Sequence, residues 1–78
     1  MKKIAILFLF VIAAFEVNAQ SFMDLNDQFN ELYKKGLYKQ AVPIGIKAIA
    51  QAKKEYGEQH INYAIASYNL AEAYYNLK

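Results

Sequence analysis

The chain has 78 residues, a formal net charge of +2 at pH 7, no cysteine and a single histidine. This composition excludes a thiol nucleophile, a cysteine zinc site and a two-histidine metal set. So small a net charge is no electrostatic footprint for nucleic acid or for an anionic membrane surface. No cofactor is expected, since the three glycines are scattered and form no phosphate-binding loop.

The first nineteen residues (1–19) are typical of a secretory signal peptide. Two lysines precede an apolar run over 4–15, and Ala19 is a small residue where a signal peptidase would cleave. The alternative is a membrane anchor, but a helix of this length rises only about 18 Å, well short of a hydrocarbon core of roughly 30 Å. We expect cleavage after Ala19, export of residues 20–78, and a periplasmic or extracellular location, with no membrane span in the mature chain.

The exported part would carry seven lysines against six acidic residues and no disulfide. A core of this size without disulfides or metal is marginal. We therefore expect it to be stabilised by partners or to be one end of something longer.

The first predicted helix begins near Ser21, a good N-cap, and Asp24 lies three residues on, as in a capping box. Gly36 is expected to end it, because a left-handed residue costs glycine little. Its apolar face follows steps of three and four: Phe22, Leu25, Phe29, Leu32 and Tyr33.

The second predicted helix runs from about Leu37 to Tyr56, and Gly57 ends it. Pro43 falls within about a turn of the start, where a missing donor costs less, so a mild bend at most is expected. Small residues recur at steps of four, three and four, a ridge that lets another helix approach closely: Ala41, Gly45, Ala48 and Ala52.

The third predicted helix starts near Ile61 and continues to the end of the chain. His60, just before it, is expected to cap the helix or contact the loop rather than to act in catalysis. The apolar face consists of Ile61, Ala64, Ile65, Tyr68, Ala71 and Tyr75, with Leu70, Tyr74 and Leu77 beside it. The pattern predicts an all-α chain, an antiparallel helix hairpin followed by a third helix.

Asn30-Glu31-Leu32-Tyr33 is followed, forty-two residues later, by the similar segment Glu72-Ala73-Tyr74-Tyr75, and several further motifs accompany this period. The turn Gly36-Leu37-Tyr38 is followed by Ala41 and Ala48, and a loop with glycine and histidine three residues apart spans 56–60. Fixed periods of this length are typical of helical solenoids. With these motifs the chain resembles a tetratricopeptide repeat, and more narrowly the 42-residue version found in kinesin light chains and in many bacterial repeat arrays.

The resemblance implies an incomplete αα superhelix over 20–78, with a first repeat over 22–56 and a third helix over 61–78 that opens the second repeat. The family usually has a small residue where this chain has Phe29 and an aromatic one where it has Gly45. One large and one small residue have traded places, which conserves volume if they meet across the hairpin.

Lys78 stands where the next glycine turn would belong. Repeat arrays need about three units and a polar cap, so one and a half repeats leave the third helix partly bare. The residues expected to be bare are Tyr68, Leu70, Tyr74, Tyr75 and Leu77. The chain is interpreted as the amino-terminal piece of a longer array or a truncated reading frame. Self-association through the third helix is the alternative.

The resemblance also implies a concave, peptide-binding groove on the first helix of each repeat. Its candidate residues are Asn26, Asn30, Tyr33, Tyr68, Glu72 and Tyr75. Asparagine amides can bond a peptide backbone and tyrosines can pack on its side chains. The alternative, that these side chains only pack or face water, stays open.

Three functions compete on this basis. The first is a non-enzymatic, exported module that binds partner proteins or peptides. The second is the sensing arm of a larger protein, since arrays of this subtype are often joined to a caspase-like protease or a signalling domain. The third is a small helical protein that dimerises.

Overall fold

The computed structural model describes residues 20–78, which form three α-helices and no strand. They are α1 (Phe22–Lys34), α2 (Tyr38–Tyr56) and α3 (Ile61–Asn76). The predicted all-α class is confirmed for this part of the chain. The predicted signal peptide, residues 1–19, lies outside the described residues.

Local capping determines where α1 begins and ends. The Ser21 Oγ accepts a hydrogen bond from the Asp24 N–H at 3.2 Å, as the predicted N-cap requires. After the last turn, Gly36 has a φ of +75°, a left-handed conformation that favours glycine. The Leu37 N–H returns to the Leu32 carbonyl at 2.9 Å, which closes the turn before α2.

A distant side chain also holds the start of α1. Glu55, in the last turn of α2, accepts the Phe22 N–H on its Oε2 at 2.7 Å. The Gln51 amide donates to the same oxygen, also at 2.7 Å. The first backbone donor of α1 is one that no helix can satisfy internally, so α2 supplies its acceptor and links the two helix ends.

The two helices pack antiparallel. The Phe22 ring meets Tyr56 edge-on with centroids 5.9 Å apart, at the end of the hairpin away from the turn. The predicted ridge of small residues on α2 lies in the contact: Ala41, Gly45, Ala48 and Ala52 are all buried. Since these residues project so little, α1 on one side and α3 on the other both approach α2 closely.

Pro43 lies inside α2 without ending it, and the helix continues to Tyr56. Gly57, with a φ of +95°, then turns the chain. The His60 side chain caps α3 by accepting the Asn62 N–H on Nδ1 at 3.0 Å, as predicted. Its ring also stacks on Tyr56, with centroids 4.6 Å apart.

The face of α3 that packs on α2 is not the one with the large apolar residues. Ala66 and Ala73 are buried there, and Leu70 and Tyr63 are half-buried. The face singled out from the sequence is exposed instead: Ile61, Ala64, Ile65, Tyr68, Ala71 and Tyr75. Helix α3 has apolar residues on nearly all sides, so hydrophobicity does not single out one face. The side with Ala66 and Ala73 packs on α2 because it allows the closest approach to the ridge of small residues.

The expectation of a partly bare third helix is confirmed within residues 20–78. Tyr68 is 65% exposed and Tyr75 67%, and Tyr74 and Leu77 are exposed as well. Leu70 is half-buried because it packs toward Gly45.

The buried residues form two clusters along the hairpin. Phe22, Leu25, Ala48, Ala52 and Ala66 form the first, and Phe29, Ala41 and Ala73 form the second. Each cluster takes residues from all three helices, so α3 is part of the core. In the region from 20 to 78, no helix combines the length and apolarity needed to cross a bilayer.

Candidate functional site: the α1–α3 groove

Helices α1 and α3 lie on either side of a cavity of about 250 Å³. Six side chains line it, three from each helix: Phe29, Asn30, Tyr33, Tyr68, Asn69 and Glu72. We call this cavity the α1–α3 groove. Both helices pack against the small residues of α2, and that shared support brings the two sets of side chains together.

Aromatic rings form much of the groove. Phe29 is only 2% exposed and belongs to the core, so it is a fixed surface rather than a mobile one. The Tyr33 ring stacks on it, with centroids 5.9 Å apart and planes at 23°. Tyr38 meets Tyr33 edge-on at 5.1 Å and supports it from α2. On the opposite side stands Tyr68, which is largely exposed.

Hydrogen bonds between side chains join α1 to α3 along the groove. The Asn69 Nδ2 donates to the Asn26 Oδ1 at 3.2 Å. The Tyr33 hydroxyl donates to the Glu72 Oε2 at 3.3 Å and accepts from the Asn76 Nδ2 at 3.0 Å. These polar contacts, together with the packing on α2, set the spacing of the two helices.

The electrostatics of the groove are dominated by Glu72. Burial, and then the negative charge of Glu72, raise the pKa of Tyr33 above its ordinary value of 10.0. The Asn76 amide acts in the opposite direction because it donates to the tyrosine oxygen. Tyr33 is therefore a neutral hydroxyl at physiological pH and holds the carboxylate in place by donating to it.

The structure brings together four of the six side chains selected from the sequence: Asn30, Tyr33, Tyr68 and Glu72 line the groove. The other two do not line it. Asn26 is engaged by Asn69, and Tyr75 points elsewhere, with the Lys78 Nζ 5.4 Å from its ring centroid.

Sequence reasoning missed Phe29 and Asn69 as lining residues. Phe29 was assigned to the core, where it also lies. Asn69 lies three residues before Glu72, a spacing that places two side chains on one helix face. This spacing from Glu72 is the feature of the sequence from which Asn69 could have been predicted to line the groove.

Metal ligands are not grouped in this region. Among residues 20–78, no three His, Cys, Asp or Glu side chains lie close enough to hold a metal ion.

Fold and site together define an all-α protein of three packed helices with an aromatic, singly acidic groove between the first and the third. The chain matches no protein-family model, no curated protein and no solved structure.

Proposed function

We propose that this chain is a tetratricopeptide-like interaction module, exported and non-enzymatic, that binds peptide segments of partner proteins in the α1–α3 groove. One observation carries the proposal. Four side chains that were selected from the sequence line the same cavity, two from α1 and two from α3. The two pairs are far apart in the chain, since even Tyr33 and Tyr68 are separated by 35 residues.

The groove offers polar groups suited to a peptide backbone. Asn30 is exposed and, among the described residues, makes no hydrogen bond, so its amide is available to a ligand. An asparagine carries both a donor and an acceptor and can pair with a backbone carbonyl and N–H. Phe29 is buried in the core and the Tyr33 ring stacks on it, and aromatic side chains bind with little loss of entropy because they have only two χ angles.

The exposed face of α3 supports the repeat character of the module. Its large residues include Ile61 at 66% and Tyr75 at 67% exposure, and they surround Ala64 and Ala71. Small residues between large ones form a surface that another helix can pack against. We propose that the next helix of a longer array covers this face, or that a second copy does.

A peptide array probed with the full chain tests the proposed groove. Asn30→Ala combined with Tyr33→Ala should abolish or strongly reduce binding to the array. The control combines Asp27→Ala with Lys34→Ala, two exposed positions of α1 outside the groove, and should bind as the unaltered chain does. An array pattern that survives the groove double variant unchanged would remove the proposed site.

A further inference from the structure

We propose that the α1–α3 groove selects a basic side chain, a lysine or arginine of the bound peptide, through Glu72 and the aromatic rings around it. This inference rests on the proposed function, whose site it shares, and it names the chemical class of the partner segment.

The first argument is charge. Glu72 is the only acidic residue among the six that line the groove, and none of the six is basic. Across residues 20–78 the structure shows a single ion pair, Lys53 with Glu58 at 3.1 Å, so Glu72 has no cationic partner in that range. Its Oε2 accepts the Tyr33 hydroxyl, while its Oε1 has no hydrogen-bond partner among these residues. A carboxylate with an open oxygen attracts a cation.

The second argument is the aromatic lining. A cation within about 6 Å of a ring centroid is attracted by the negative ring face. Tyr33 lines the groove from α1 and Tyr68 from α3, and Phe29, on which the Tyr33 ring stacks, belongs to the core. The apolar stem of a lysine or arginine packs well on such rings while its charged end reaches the carboxylate.

The third argument compares the other ligands. An acidic side chain would place a second negative charge beside Glu72. A purely apolar one would take water from the Glu72 carboxylate and give no hydrogen bond in return, which costs free energy. The cavity of about 250 Å³ is also smaller than the roughly 300–1,000 Å³ of small-molecule pockets. A single side chain of a peptide suits it better than a cofactor does.

Fluorescence anisotropy with three labelled peptides tests the inference on the full chain. The peptides are identical except for the central residue, which is lysine, norleucine or glutamate. Since norleucine keeps the lysine stem without the charge, the comparison isolates the cation. The lysine peptide should bind about fivefold to tenfold more tightly than the norleucine peptide, and the glutamate peptide should bind most weakly. The lysine preference should shrink as salt is raised.

Glu72→Gln assigns the preference to its residue. A glutamine keeps an oxygen that can accept the Tyr33 hydroxyl, so the substitution removes the charge and leaves the contact to α1. In this variant the lysine and norleucine peptides should bind within about twofold of each other. Glu31→Gln is the matched control, an exposed residue of α1 that does not line the groove, and should keep the full preference.

Each outcome decides the matter. Equal binding of the three peptides to the unaltered chain would overturn the inference and leave peptide binding intact. Binding of none of them would count against both the inference and the proposed function. A lysine preference that persists in Glu72→Gln would place the cation elsewhere and overturn this assignment. The peptide comparison uses the unaltered chain, so it is decisive even where a variant fails to fold.

Discussion

Phe29 occupies the space that a side chain at Gly45 would need. A Cβ placed on Gly45 would lie 3.1 Å from the Phe29 Cε2 and 3.1 Å from the Leu70 Cδ1. All three helices therefore meet at one glycine. The large and small residues that traded places relative to the repeat pattern do face each other across the hairpin.

Replacing Gly45 with phenylalanine should strongly destabilise the fold. The added ring has no space between Phe29 and Leu70, and overpacking costs about 1–3 kcal/mol or more. We expect a loss at or above the top of that range, seen as a large drop in melting temperature. An unchanged melting temperature would contradict the packing described.

A double-mutant cycle with smaller substitutions measures the contact between Gly45 and Phe29. Gly45→Ala gains about 1 kcal/mol of helix propensity but crowds the Phe29 ring, so its net effect on the free energy of unfolding should be small or negative. With Phe29→Leu present the crowding against residue 29 is relieved while the contact with Leu70 remains, so the same alanine should be less unfavourable in that background. Identical effects in both backgrounds would show that the two residues are uncoupled.

Two side chains cap the first helix, and their losses should add. Ser21 accepts the Asp24 N–H and Glu55 accepts the Phe22 N–H, so each serves a different donor. Ser21→Ala should cost about 1 kcal/mol and Glu55→Ala about 1 kcal/mol in urea denaturation.

The double variant should lose the sum of the two. Glu31→Ala, in the exposed middle of α1, is the control and should stay within about 0.5 kcal/mol of the unaltered chain. If Glu55→Ala left the free energy of unfolding unchanged, the hydrogen bond from the Phe22 N–H to Glu55 would contribute nothing to stability.

Tyr33 should make the fold sensitive to high pH. Its pKa in the folded chain lies above 10.0, so the unfolded chain loses this proton first as the pH rises. In that interval the folded chain binds more protons, and the free energy of unfolding falls. Chemical denaturation from about pH 8 to about pH 12, roughly two units on either side of the ordinary tyrosine pKa, should show the decline.

Tyr33→Phe should give a shallower decline than the unaltered chain. It should also lower stability at neutral pH, because two hydrogen bonds made by its hydroxyl are lost. Tyr38→Phe is the control, since the Tyr38 hydroxyl makes no hydrogen bond within residues 20–78. Equal slopes in the two variants would rule out the titration of Tyr33 as the cause of the decline.

Two alanines in α3 distinguish its packed face from its exposed one. Ala73 is 0% exposed and belongs to the core cluster with Phe29, whereas Ala71 is exposed. Ala73→Leu should cost about 1–3 kcal/mol by overpacking, and Ala71→Leu should stay within about 0.5 kcal/mol.

Thermal unfolding of the two leucine variants in parallel makes the comparison. Since both add the same side chain to the same helix, helix propensity cancels between them. The reverse order of stability would mean that α3 packs on α2 through the face that was selected from the sequence.

The groove was only partly predictable. Asn30, Tyr33, Tyr68 and Glu72 follow from the repeat resemblance, which implies a concave groove on the inner face of the first helix of each repeat. Asn26 was selected by the same rule, but a hydrogen bond from Asn69 uses its side-chain oxygen. Such pairings depend on the offset between two helices that are separate in sequence.

The sequence by itself determined the helices and their ends. The residues that begin and end the helices act on neighbours within a few positions, so their effects can be predicted without any tertiary contact. They are Ser21, Gly36, Gly57 and His60. The small-residue ridge of α2 could be predicted for a related reason, because residues spaced by three or four positions lie on one face of a helix.

Only the tertiary structure decided which side of α3 is packed and which side chains form the groove. The large residues of α3 are the more hydrophobic, and yet the alanine side faces α2. Hydrophobicity alone favours the helix face that can bury the largest apolar area. The small residues of α2 already pack against Phe29 and Leu25 of α1, so the face of α3 that permits the closest approach is favoured instead. That choice depends on the shape of the partner helix, which no local pattern contains.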